Sequence, residues 1–109
     1  MFKGLFGSEK KGKILLYLYT NGEAYPTEIA KIFKFYLNTV QNHLLNMERD
    51  GLLYSQLKGK VRLFGLNPRY AFRRELESLL EKALNFIPED EKKKLYRPRL
   101  RPRRTGKPF

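Results

Sequence analysis

Residues 27–53, TEIAKIFKFYLNTVQNHLLNMERDGLL, decide the fold. They read as two helices joined by a tight turn and stopped by a glycine. The first helix is expected over about 27–33, where Ile29, Ala30, Ile32 and Phe33 are spaced to bury one side of a short helix. The second is expected over 37–50. Val40, Leu44 and Met47 fall four and three apart, so they share one face. Asn38, Thr39, Gln41 and Asn42 lie away from that stripe, near the N-terminal end. Gly51 follows the last charged turn, where a C-terminal glycine cap belongs.

Two short helices at this separation make a helix-turn-helix, whose second helix enters the DNA major groove with its N-terminal part. Asparagine and glutamine suit that place, because their amides pair with the N6 and N7 edge of adenine. A helical hairpin with a polar outer face would show the same pattern. The next residues favour the first reading. In LLYSQLKGKVRLFGLNP, 52–57 and 60–66 are strand-like, with Lys58 and Gly59 between them. Gly59 can take the positive φ of a hairpin tip. Lys58, Lys60 and Arg62 cluster at that tip, for contact with phosphates. A helix-turn-helix followed by a basic hairpin is a winged helix.

The stretch resembles the winged helix-turn-helix of the arsenic-repressor-like (ArsR-like) transcriptional regulators. The matching residues are Glu28-Ile29-Ala30-Lys31, Asn38-Thr39-Val40, His43-Leu44, Met47-Glu48, Asp50-Gly51-Leu52-Leu53, Gly59-Lys60 and Phe64-Gly65-Leu66-Asn67-Pro68. The resemblance covers roughly residues 5–80. Lys34 stands where that family often has glycine, and Tyr36-Leu37 replaces the usual Ser-Pro before the recognition helix. The resemblance implies an α+β, mainly α, winged helix-turn-helix that binds double-stranded DNA and regulates transcription. Many of its members sense metals through helix cysteines. This chain has no cysteine, so neither metal nor cofactor is expected.

The domain organisation follows: a winged helix over 1–66, a C-terminal helix over 67–87, and a charged segment with an Arg/Pro-rich tail over 88–109. Ser8 is expected to cap a helix that runs to about residue 20, with Ile14, Leu15 and Leu18 facing the core. Gly12 weakens that helix without an evident reason in the sequence. Residues 23–25 are expected to be extended, pairing with the wing. Asn67 is expected to cap the last helix and Pro68 to occupy its first turn. Phe72, Leu76, Leu79, Ala83 and Phe86 repeat at four, three, four and three. That stripe either lies on its own domain or, as preferred here, forms the seam of a homodimer.

The 109 residues carry a net charge of +12. Half of it comes from Arg97, Arg99, Arg101, Arg103, Arg104 and Lys107 in a tail without acids. Alternating Arg and Pro keep such a tail extended, suited to contact with DNA phosphates or a narrow minor groove. The apolar run 14–19 is too short to span a bilayer, which takes about 20 residues, so no membrane partner is expected and the setting is read as cytoplasmic. No enzyme is expected. His43, the one histidine, lies in the recognition helix and is assigned with Tyr36 to the DNA backbone or to helix packing. Ser8, Ser55 and Ser78 have no base nearby in the pattern, and Glu75, Glu77 and Glu81 read as a solvated face. Two alternatives stay open: an RNA- or ribosome-associated basic protein, and a winged-helix adaptor whose tail binds a polyanion.

Overall fold

The computed structural model describes residues 1–95. Among these residues, five α-helices and a three-stranded antiparallel sheet are arranged around a sixth helix, α2 (Glu9–Asn21). Ser8 caps α2 by accepting a hydrogen bond from the Lys11 amide at 3.2 Å. Ile14, Leu15, Leu16, Tyr17 and Leu18 are all buried, on every side of the helix, because α1 (Lys3–Phe6), α5 (Arg73–Leu84), β1 (Glu23–Ala24) and β3 (Val61–Leu66) pack around it. Such all-round burial marks a helix inside a core rather than on its surface.

The role of Gly12 lies in α1. Phe2 is buried against it, and a side chain at residue 12 would overlap the Phe2 ring. The amides of Phe2 and Lys3 donate to Glu9 Oε1 at 2.8 and 3.2 Å, which fastens the segment to the start of α2.

The helix-turn-helix forms as the spacing predicts, with α3 at Pro26–Phe33 and α4 at Leu37–Arg49. Tyr25 is extended, as the residue before proline must be, and Glu28 accepts from its amide at 3.4 Å. Glu28 also accepts from the buried Tyr17 hydroxyl, tying α3 to α2. Lys34 closes α3 in the left-handed conformation, φ 59° and ψ 42°, that glycine would take without strain. Beyond α4, Gly51 (φ 90°) makes a Schellman cap: its amide donates to the Glu48 carbonyl at 3.0 Å, and the Leu52 amide to the Met47 carbonyl at 2.9 Å.

The sheet order is β1-β3-β2, with β2 at Leu53–Lys58. Lys58 pairs with Val61, so the turn is Gly59-Lys60 rather than the expected Lys58-Gly59. Gly59, at φ 66°, takes the first turn position, which demands it. The expected extended segment before α3 is β1, with Glu23 opposite Gly65. Gly65 leaves room for the Tyr54 ring, whose hydroxyl crosses β3 to donate to Glu23; a Cβ there would lie 2.7 Å from that oxygen.

One expected element is shorter. The C-terminal helix does not begin at Asn67. The Asn67 side chain donates to the Gly51 carbonyl at 3.1 Å and accepts from the Arg69 amide at 3.0 Å. The Tyr70 amide donates to the Asn67 carbonyl at 3.1 Å, so Pro68 sits in a turn. Helix α5 spans the 12 residues Arg73–Leu84 and stops before Pro88. Leu76, Leu80, Ala83 and Leu84 join the common core. Helix α6 (Glu89–Lys92) and a single 3₁₀ turn (Lys93–Leu95) follow. Leu95 is buried, and its carbonyl accepts from Thr20 Oγ1 at 2.8 Å and Asn21 Nδ2 at 2.6 Å. Leu95 is thereby fixed at the C-terminal end of α2.

Candidate nucleic-acid interface

Helix α4 divides cleanly into two sides. Val40, Leu44 and Met47 are fully buried. Opposite them, Asn38, Asn42, Leu45 and Arg49 fall four, three and four apart and are all exposed. Gln41 and Asn46 are exposed on the flanks, and Thr39 is half-buried at the edge. Tyr36, just before the helix, is 83% exposed. No carboxylate occurs on α4 before Glu48. Glu48 itself is half-buried and accepts from Ser55 Oγ at 2.6 Å, turned toward the wing rather than outward. Asn and Gln amides thus dominate the outer side near the N-terminus of α4, where a groove-reading helix needs donors and acceptors.

Cations flank this face. Lys10, at the start of α2, lies over the Phe35 ring at 5.5 Å from its centroid, which sets it beside the turn before α4. His43 is half-buried; burial first, then the charges of Lys11 and Lys10, push its pKa below the ordinary histidine value. A neutral imidazole there offers one donor and one acceptor, not a positive charge, toward a phosphate. Because the unfolded chain takes up this proton first, that contribution to stability is present above the ordinary histidine pKa and is lost as pH falls. Lys10, Lys11 and Lys34 were not singled out by sequence reasoning. Only the packing of α2 beside α4 reveals the first two.

The wing cations do not share one face. Successive strand residues alternate sides, so Lys58 and Arg62 project from opposite faces of the hairpin, with Lys60 in the turn. All three are exposed. Arg62 Nη1 donates to Ser55 Oγ at 3.1 Å, which joins it to the Ser55–Glu48 pair at the end of α4. Among the described residues, none of Lys10, Lys11, Lys34, Lys58 and Lys60 forms an ion pair with another described residue.

The expected dimer stripe is split. Leu76 and Ala83 are buried in the chain's own core, because α5 lies against α2 and Tyr19 reaches across to donate to Glu81 at 2.6 Å. Leu79 is half-buried. Phe72 and Phe86, at the two ends of α5, are 62% and 68% exposed. A groove of about 440 Å³ runs between the N-terminal segment and α5, lined by Met1, Phe2, Leu5, Leu79, Lys82, Ala83 and Phe86. Arg97, Arg99, Arg101, Arg103, Arg104 and Lys107 lie outside the described residues. Among the described residues no cluster of three His, Cys, Asp or Glu side chains is placed to hold a metal, and no helix is long and apolar enough to cross a membrane.

The fold is that of solved winged-helix proteins. MepR, a transcription regulator of the Staphylococcus aureus multidrug efflux pump MepA, superposes with a TM-score of 0.59 at 22% identity, over 86% of this chain and 76% of that one. The adhesin competence repressor AdcR of Streptococcus pyogenes gives 0.58 at 14% identity, over 83% and 76%. The C30AH42A mutant of Lactococcus lactis ZitR in apo form gives 0.57 at 20% identity, over 79% and 73%. MepR has also been solved with DNA, and that complex superposes at 0.53 with 22% identity, over 86% and 75%. No family model and no curated protein matches the chain.

Proposed function

We propose that this chain is a sequence-specific, double-stranded-DNA-binding transcriptional regulator of the ArsR-like kind, without metal-sensing cysteines, acting as a cytoplasmic homodimer and not as an enzyme. The observation that carries the reading is the outer side of α4: amide-rich, free of outward carboxylates, and flanked by cations on α2, the α3–α4 turn and the wing. Asn38, Thr39, Gln41 and Asn42 approach base edges, while Lys58, Lys60, Arg62, Tyr36 and His43 serve the backbone. Phosphate contacts set register and orientation, and the α4 amides select sequence. Structural likeness to MepR, solved with DNA, supports the same use of this fold.

The dimer would close over the exposed Phe72 and Phe86, the half-buried Leu79 and the apolar groove beside it. Two α4 helices related by a two-fold axis then meet half-sites about 10–10.5 base pairs apart, or a multiple of that. The tail cations, 97–107, add affinity by releasing counterions with little regard to sequence. Paired substitutions test the division of labour. Gln41→Ala should cost about 1–3 kcal/mol on a selected site and little on random duplex, whereas Lys60→Ala should weaken both about equally. Equal weakening of both duplexes by Gln41→Ala would remove α4 from the groove.

A further inference from the structure

We infer that α4 is built to read A·T pairs, with Leu45 seated on a thymine 5-methyl group one turn beyond the amides that hold adenine. This inference rests on the DNA-binding reading and names the chemistry of its target. The outward stripe of α4 runs Asn38, Asn42, Leu45, Arg49. Leu45 is 45% exposed and faces away from a core that already takes Val40, Leu44 and Met47. In the middle of a polar, solvent-facing stripe, this apolar side chain leaves nearly half of its surface in water. In the major groove the only apolar group on a base-pair edge is the thymine methyl.

Its neighbours point the same way. Asn38 and Asn42 sit one turn apart on the same stripe, with Gln41 beside them. Asparagine and glutamine form bidentate pairs with adenine N6 and N7, whereas guanine is read by arginine or lysine. No lysine or arginine occurs on α4 before Arg49, and His43, held neutral and half-buried, supplies no cation there. Arg49 lies in the last turn and donates to Asn46 Oδ1 at 3.2 Å, away from the earlier turns that enter a groove. The helix therefore offers adenine partners and a methyl partner, and, Arg49 in its last turn apart, the cations around it lie on other elements, where phosphates are.

Selection from duplexes with a random core, using the full-length chain at physiological salt, tests this first. Enrichment of A·T-rich half-sites is expected. Enrichment of guanine-bearing half-sites would overturn the inference and leave the DNA-binding reading standing. No enrichment over random duplex would sink that reading, and the inference with it. An Arg-rich tail in a narrow minor groove would also favour A·T pairs, so the second arm changes only the major groove. Replacing thymine by uracil in the selected site removes the methyl and should weaken binding about three- to fivefold at the contacted pair. Replacing adenine by 7-deazaadenine removes N7 and should weaken it about 5- to 150-fold. Leu45→Ala should lose sensitivity to uracil while keeping sensitivity to 7-deazaadenine, and Asn42→Ala the reverse at its own base. Leu45 is exposed, so the variant keeps the fold. Indifference of the wild-type chain to both modified bases would overturn the proposal.

Discussion

Helices α4 and α5 are nearly the same length, 13 and 12 residues, and each buries an apolar stripe in the same core. What they leave outside differs. Helix α4 exposes amides and two leucines, Leu37 at its start and Leu45 on its outer stripe, with no outward carboxylate until its C-terminal end. Helix α5 exposes Arg73, Arg74, Glu75 and Glu81, an ordinary solvated mixture, but carries a bare phenylalanine at each end. The buried stripes explain why both helices are where they are. The outer faces separate a surface suited to DNA from one suited to a second apolar surface.

The largest effect should come from charging the ends of α5. Phe72→Glu/Phe86→Glu places two unpaired carboxylates in the proposed seam, and an unpaired buried charge costs about 3–5 kcal/mol. Sedimentation should show a folded monomer at micromolar concentration, and the wild type a dimer. A wild-type chain that sediments as a monomer would leave those phenylalanines without the assigned role. Leu76, by contrast, is a poor place to test assembly, since it is buried in the monomer.

Next come the shared stripes. Leu44 in α4 and Leu80 in α5 are both 0% exposed, so Leu44→Ala and Leu80→Ala should each cost about 2–5 kcal/mol in urea unfolding. A cost for Leu80→Ala below about 1 kcal/mol would break the comparison, by showing that α5 is an appendage rather than part of the core.

Lys34→Gly sharpens it further, because its two effects have opposite signs. Relief of the left-handed backbone at φ 59° should stabilise the fold by about 1 kcal/mol. Loss of a cation beside α4 should weaken duplex binding and reduce the salt slope by about 0.9. Stabilisation with an unchanged slope would place Lys34 outside the interface.

The smallest effect lies in the sheet, remote from the outer faces of both helices. The hydrogen bond to Glu23, with burial and the Glu23 charge adding to it, pushes the Tyr54 hydroxyl up to about 12. The folded chain therefore keeps this proton where the unfolded chain, with an ordinary tyrosine pKa of about 10, has released it. Stability from this group is present below about pH 10 and is lost as pH rises toward 12. Ultraviolet titration of Tyr54→Phe should lack the tyrosinate step near pH 12, and its stability should fall less steeply over that window.

Much of this was legible in the chain. The four-and-three spacing of Val40, Leu44 and Met47 fixed the buried side of α4, and Gly51 its end. Pro26 marked the start of α3, and Ser8 the start of α2. What was not legible depended on partners distant in sequence. Gly12 makes sense only once Phe2 lies on it, and Gly65 only once Tyr54 crosses to Glu23. Asn67 has the residue type of a helix cap, but its Oδ1 accepts from the Arg69 amide in a turn, its Nδ2 reaches the Gly51 carbonyl, and α5 begins only at Arg73. The stripe on α5 has one periodicity but two fates, since α2 covers Leu76 and Ala83 and leaves Phe72 and Phe86 bare. Leu45 and Asn46 could have been found by carrying the α4 spacing one turn further.

On the proposed reading, the outer face of α4 reads duplex DNA rather than offering a general polyanion surface. Competition at physiological salt tests it most directly: full-length chain on a selected duplex, displaced by that duplex, by scrambled duplex, by single-stranded RNA and by heparin. The account predicts that the selected duplex competes about 10³-fold or more better than scrambled duplex, as specific readers do, and that Gln41→Ala narrows the gap. Equal displacement by all four polyanions would contradict it.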